Sequence, residues 1–139
     1  MRWRRDSPHR PQVRAVLLAL LCVAGCQSSP TDADVPPITG TWETRDPRQG
    51  WRFTLSGDRG STVRGRYSNE GIPALGDVQG SYHFPRVRLV FTVYVGFETR
   101  SCMLRGEMET GGDQIPGTAS CSARNREDDV FTMTLVRTG

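Results

Sequence analysis

From residue 39 to the C-terminus the chain alternates. Apolar side chains occupy every second position in runs such as Trp51, Phe53, Leu55 and Val87, Leu89, Phe91, Val93, and no stretch carries a useful helical repeat. Gly and Pro break the pattern about every ten residues, as expected of short strands joined by turns. The alternation predicts eight strands, at 39–45, 50–57, 61–68, 76–84, 86–95, 100–110, 113–123 and 129–138. Eight strands in succession predict an all-β fold, an eight-stranded antiparallel up-and-down barrel, because closure removes the edges that an open sheet must protect.

The turns predict which residues face each other, and a one-residue slip would send every side chain to the wrong face. A three-residue loop Asp58-Arg59-Gly60 sets Leu55 against Val63, Phe53 against Gly65 and Trp51 against Tyr67. A turn at Pro85-Arg86 sets Phe84 against Val87, Tyr82 against Leu89, Gly80 against Phe91 and Val78 against Val93, although Pro85 cannot adopt the positive φ of a primed turn. A two-residue turn at Gly111-Gly112 sets Met108 against Ile115, Leu104 against Ala119 and Cys102 against Cys121. Opposed residues of paired strands lie within reach of a disulfide, so Cys102 and Cys121 are expected to staple this hairpin. Without a Cys-x-x-Cys spacing, a redox-active pair is the weaker reading. The inward aromatics Trp42, Trp51, Phe53, Tyr67, Tyr82, Phe84, Phe91 and Phe131 predict a mostly packed interior, with any pocket at the end opposite Trp42.

Ahead of the strands the pattern changes twice. Arg2, Arg4, Arg5, Arg10 and Arg14 flank an apolar run from Ala15 to Val23, which ends in Val23-Ala24-Gly25-Cys26. The run is too short for a spanning helix of ~20 residues. With its basic flank and the small residues before a cysteine, it resembles a bacterial lipoprotein signal ending in a lipobox. The resemblance implies a signal helix at 1–25, cleavage after Gly25 and a lipid anchor on Cys26; the alternative is a secreted protein cut by ordinary signal peptidase. Gln27, where an inner-membrane retention signal carries Asp, implies the outer membrane, facing the periplasm. Residues 26–37, polar and proline-rich, predict a flexible tether, and 38–139 the barrel domain.

Processing changes the electrostatics. Removing residues 1–25 takes five of the 18 basic residues and one of the 15 acidic ones, leaving 13 against 14. A near-neutral mature chain gives no reason to expect nucleic acid as a partner. His83 is then the only histidine, and with only Cys102 and Cys121 beside it no metal site or other cofactor is expected. Catalysis is also disfavoured. His83 has outward parity, and the carboxylate pairs Glu107/Glu109 and Asp128/Asp129 fall on an exposed strand face and in a loop, so no base stands near a nucleophile. Arg52, Arg64, Arg66, Arg88 and Arg105 face outward. They are candidate contacts to phosphate or carboxylate groups, set against the ordinary reading of a solvated face.

Ile38-Thr39-Gly40-Thr41-Trp42 resembles the Gly-x-Trp motif that opens lipocalins, and Arg137 on the last strand resembles the basic residue packed over that Trp. The resemblance implies a lipocalin-like, calycin-type barrel whose first and last strands are neighbours, with Trp42 and Arg137 closing one end through a cation–π contact. Periplasmic protease-inhibitor barrels share the size, the single disulfide and the Gly-x-Trp start. The expectation is a non-catalytic, lipid-anchored cell-envelope lipoprotein that binds a small apolar or amphiphilic ligand or serves a structural envelope role. The alternative is a protein-binding module for an envelope partner, such as a periplasmic protease or wall-hydrolase inhibitor.

Overall fold

The alternating segments pair into one ring. The structure, a computed structural model, describes residues 35–57, 62–72, 74–124 and 128–139; the signal segment, Cys26 and the tether up to residue 34 lie outside the described residues. The strands are β1 (Gly40–Thr44), β2 (Trp51–Gly57), β3 (Thr62–Asn69), β4 (Ala74–His83), β5 (Arg86–Val95), β6 (Glu98–Glu107), β7 (Gln114–Ala123) and β8 (Asp129–Arg137). Each pairs antiparallel with the next, and β8 returns to β1, giving a closed up-and-down barrel. Alternation dictates the faces: Trp51, Phe53 and Leu55 are buried on β2 while Arg52 and Thr54 are exposed, and β5 repeats this with Val87, Leu89, Phe91 and Val93 inside. Among the described residues the core begins at Val35, and the closed ring leaves no unpaired edge. A closed ring around its own core is the architecture of a unit that can fold by itself.

Two hairpin registers differ from the turn-based expectation by two residues. In β2–β3, Leu55 faces Gly65, Phe53 faces Tyr67 and Trp51 faces Asn69. In β4–β5, Tyr82 faces Val87, Gly80 faces Leu89 and Val78 faces Phe91, because the turn is centred on Phe84-Pro85, joined by a cis peptide, and not on Pro85-Arg86. A slip of two preserves every side chain's face, so the inward set survives while its cross-strand partners change. Phe84 moves from the ladder to the turn and is half-buried. The β6–β7 register is as read, with Gly106 facing Gly117, Leu104 facing Ala119 and Cys102 facing Cys121. Cys102 and Cys121 form a disulfide across it, with Cα atoms 4.0 Å apart.

The two ends of the barrel differ. One is plugged by Trp42, which is fully buried and donates from Nε1 to the Ile38 carbonyl at 2.9 Å. The Arg137 guanidinium lies 4.3 Å from the centre of that ring. Its Nε donates to the Gly112 carbonyl at 3.1 Å, Nη1 to Thr39 at 2.7 Å and Nη2 to Pro37. Val35, Pro36 and Pro37, which the sequence reading places in the tether, lie against this end: Val35 packs on the core, and the Pro36 carbonyl accepts from the Tyr82 hydroxyl at 2.6 Å.

Candidate functional site

Opposite Trp42, the barrel opens above an aromatic floor. Trp51, Phe53, Tyr67 and Phe91 interlock with ring centroids 5.1 to 6.4 Å apart, so the interior is filled by side chains up to Trp51. Tyr67 lies over Gly76, where a Cβ would come within 2.8 Å of the ring, and its hydroxyl donates to the Thr92 carbonyl. Burial raises the Tyr67 pKa above the ordinary 10.0, and nearby Tyr94 adds to the shift. Above Trp51 remains a cavity of 360 Å³, walled by Ile72, Val93, Val95, Phe131 and the Cys102–Cys121 disulfide. That volume is within the ~300–1,000 Å³ of small-molecule sites.

Two loops form one side of the rim, and Asn69 ties them together. Its Nδ2 donates to the Gln49 carbonyl at 2.7 Å, while Oδ1 accepts from the backbone N–H groups of Gly71 at 2.8 Å and Ile72 at 3.0 Å. The Glu70 N–H donates to the Gly50 carbonyl at 3.1 Å, and Gly50 adopts φ +64°, a conformation that favours glycine. Asn69 is buried with its hydrogen bonds made, so it positions the rim.

Gln49 and Arg100, beside the cavity, each carry one buried polar atom without a hydrogen-bond partner. Gln49 donates from Nε2 to the Thr132 carbonyl at 3.0 Å, but its Oε1 is buried without a partner. Arg100 donates from Nη1 to Asp129 at 2.8 Å and from Nη2 to Glu98 at 3.4 Å, while its Nε is buried without a partner. Both residues line the cavity. An unmet buried donor or acceptor costs ~1–3 kcal/mol, a penalty that a ligand offering the complementary atoms would remove. Asp129 and Glu98 offset the Arg100 charge, so the site does not require an anion. Its complement is an apolar body with a head that both donates and accepts hydrogen bonds.

Solved structures with this architecture include two whose likeness is close enough to compare. The bradavidin2–biotin complex matches with a TM-score of 0.59 at 13% identity, over 76% of this chain and 100% of that one; Xenavidin matches with a TM-score of 0.54 at 15% identity, over 72% and 96%. The fold is that of the avidin-like barrels. At these identities the likeness shows the fold alone. No protein-family model and no curated protein matches the sequence. Of what the lipocalin resemblance at Gly40-Thr41-Trp42 implies, the closed eight-stranded antiparallel barrel is present.

The residues singled out in the sequence fall in four places. Trp42 and Arg137 meet at the plugged end, away from the cavity. Cys102 and Cys121 form part of the cavity wall, and Cys26 is outside the described residues. The five outward Arg do not converge on one site. Arg52 pairs with Glu43 at 2.8 Å, Arg64 and Arg66 face Gln79 and Asp77 across β3–β4, and Arg88 and Arg105 stand opposite each other across β5–β6. His83 is exposed, and among the described residues no group of three His, Cys, Asp or Glu could hold a metal. Sequence reasoning missed Gln49, Asn69, Ile72 and Arg100. Arg100 carried a signal, since it shares the inward parity of Cys102 and Leu104.

Proposed function

We propose that the barrel is a non-catalytic binding protein that holds a small, largely apolar molecule in its mouth, the polar head meeting the side chains of Gln49 and Arg100, which turn to offer it their unpaired atoms. The observation that carries this reading is the pairing of an apolar 360 Å³ cavity with a buried acceptor and a buried donor, both unpaired. Biotin, bound by bradavidin2 in its complex, is the first probe to try, because its ureido group both donates and accepts hydrogen bonds. The filled interior favours a ligand seated at the mouth. The test is isothermal titration with biotin, alongside native mass spectrometry of residues 27–139 exported to a periplasm and purified without detergent. A defined co-purifying mass or saturable biotin binding supports the reading. Gln49→Leu should then weaken binding by about five- to thirtyfold, equivalent to one unmet hydrogen bond of roughly 1–2 kcal/mol. A bare chain with no titratable binding refutes it.

We further propose that the chain is a cell-envelope lipoprotein anchored through Cys26 in the outer membrane. The lipobox-like Val23-Ala24-Gly25-Cys26 supports this, as does a disulfide suited to an oxidising compartment. Intact mass after detergent extraction tests it. The expected species has lost residues 1–25 and gained a diacylglycerol, whereas an unlipidated mature chain overturns the anchor.

A further inference from the structure

Arg88 and Arg105 are directly opposed across the outer face of β5–β6, a like-charge pairing that destabilises a sheet unless something neutralises it. Neither has an ion-pair partner among the described residues; the Nε of Arg105 donates only to the Met103 sulfur at 3.2 Å. Around them runs a groove of 600 Å³ that also takes in Ser81, His83, Arg86 and Glu107. Glu107 stands opposite Arg86 in the register, and among the described residues none of Arg86, Arg88 and Arg105 is within ion-pair distance of a carboxylate, so the groove carries a net positive charge. The groove lies towards the plugged end, where the Pro85 carbonyl accepts from the Met108 N–H and Tyr82 bonds to Pro36. At that same end Val35 packs on the core, and it is the first of the described residues.

From this we infer that the Arg88–Arg105 groove docks on the phosphate headgroups of an anionic membrane surface, with the plugged end facing the lipid and the ligand mouth facing away. Two guanidiniums on adjacent strands present a forked donor surface suited to phosphate oxygens. Their mutual repulsion falls when an anion sits between them. The orientation draws on the Cys26 anchor, since the nine residue-to-residue steps from Cys26 to Val35 reach at most ~30 Å. The groove itself stands on the Arg geometry alone.

The test uses residues 27–139, which lack the anchor, so failure of the anchor reading and failure of the groove are separable. The protein is floated at low salt with vesicles of phosphatidylcholine alone or of equimolar phosphatidylcholine and phosphatidylglycerol. Binding only to the anionic vesicles, weakened by added salt, is expected. Arg88→Gln with Arg105→Gln should lower the partition coefficient roughly thirtyfold, the loss of two near-surface cations. Arg64→Gln with Arg66→Gln should leave it unchanged, and Arg88→Lys with Arg105→Lys should keep most of it, which guards against a folding artefact. Equal binding to both vesicle types overturns the proposal, as does equal loss in the Arg64/Arg66 variant. Displacement by soluble glycerol 3-phosphate at matched headgroup concentration would identify a free-phosphate site and overturn membrane docking.

Discussion

Replacing Arg137 by Ala tests how the barrel is closed. The side chain makes four interactions: a cation–π contact with Trp42 at 4.3 Å, and hydrogen bonds to the carbonyls of Gly112, Thr39 and Pro37. Trp42 is fully buried, so the cation–π contact belongs at the upper part of the ~0.5–2 kcal/mol range. The bonds to Thr39 and Pro37 are exposed, and water replaces much of their value on truncation. The bond to Gly112 is partly buried and contributes nearer ~1.5 kcal/mol. The total is about 2–4 kcal/mol, which for a domain of this size lowers Tm by roughly 10–20 °C. Urea unfolding followed by Trp fluorescence and far-UV circular dichroism is the assay, with an unchanged m-value required before a midpoint shift is read as stability. Arg137→Lys should recover part of the loss, because it keeps the charge over the ring and loses the fork that reaches three carbonyls. A double-mutant cycle with Trp42→Leu isolates the ring contact. A change in Arg137→Ala below about 1 kcal/mol would show that Ile38 and Trp42 close the end without it, refuting the reasoning.

Breaking the disulfide, with Cys102→Ala and Cys121→Ala together, should cost about 3 kcal/mol in urea unfolding, because the bridge closes a loop spanning a separation of 19 residues; an unchanged midpoint would count against the staple. Alkaline stability should fall as well. Burial raises Tyr82 above 10.0, with Arg137 partly offsetting the shift, and raises Tyr67, so the unfolded chain releases protons that the barrel retains. Stability present below pH about 10 is lost as pH rises through the folded-state values, by up to ~1.4 kcal/mol per pH unit for each tyrosine; Tyr67→Phe should flatten the measured slope. Arg105→Glu should replace repulsion across β5–β6 with attraction and raise stability by ~0.5–1.5 kcal/mol in the absence of anions, read as a Tm higher by several degrees, whereas a drop in Tm would mean that Arg88 and Arg105 do not interact as placed.

The fold was legible because a barrel of alternating strands writes its architecture into parity. Trp51, Phe53 and Leu55 face inward whichever residues oppose them, so a register wrong by two in β2–β3 and β4–β5 still assigned every face correctly. The slips themselves arose where turn chemistry was ambiguous. Asp58-Arg59-Gly60 implied a shorter connection than a register with Leu55 opposite Gly65 requires, and Phe84-Pro85 forms a turn that side-chain alternation cannot locate. Gly111-Gly112 was unambiguous, and with it the opposition of Cys102 and Cys121. The mouth was harder to read, because its polar atoms come largely from loop positions that have no periodicity. Gln49 precedes a strand by two residues, and Asn69 ends another at the turn it organises; their roles emerge only when the β1–β2 and β3–β4 connections meet. Arg100 is the instructive exception. A cation on the parity of Cys102 and Leu104 contradicts its own strand's pattern, and the pattern tolerates it only because Asp129 arrives from β8 to pair with it. On a strand whose inward neighbours Cys102 and Leu104 are apolar, such a violation at the end opposite the plug marks a site, since the burial of a charge has to be offset by partners that the local sequence does not contain.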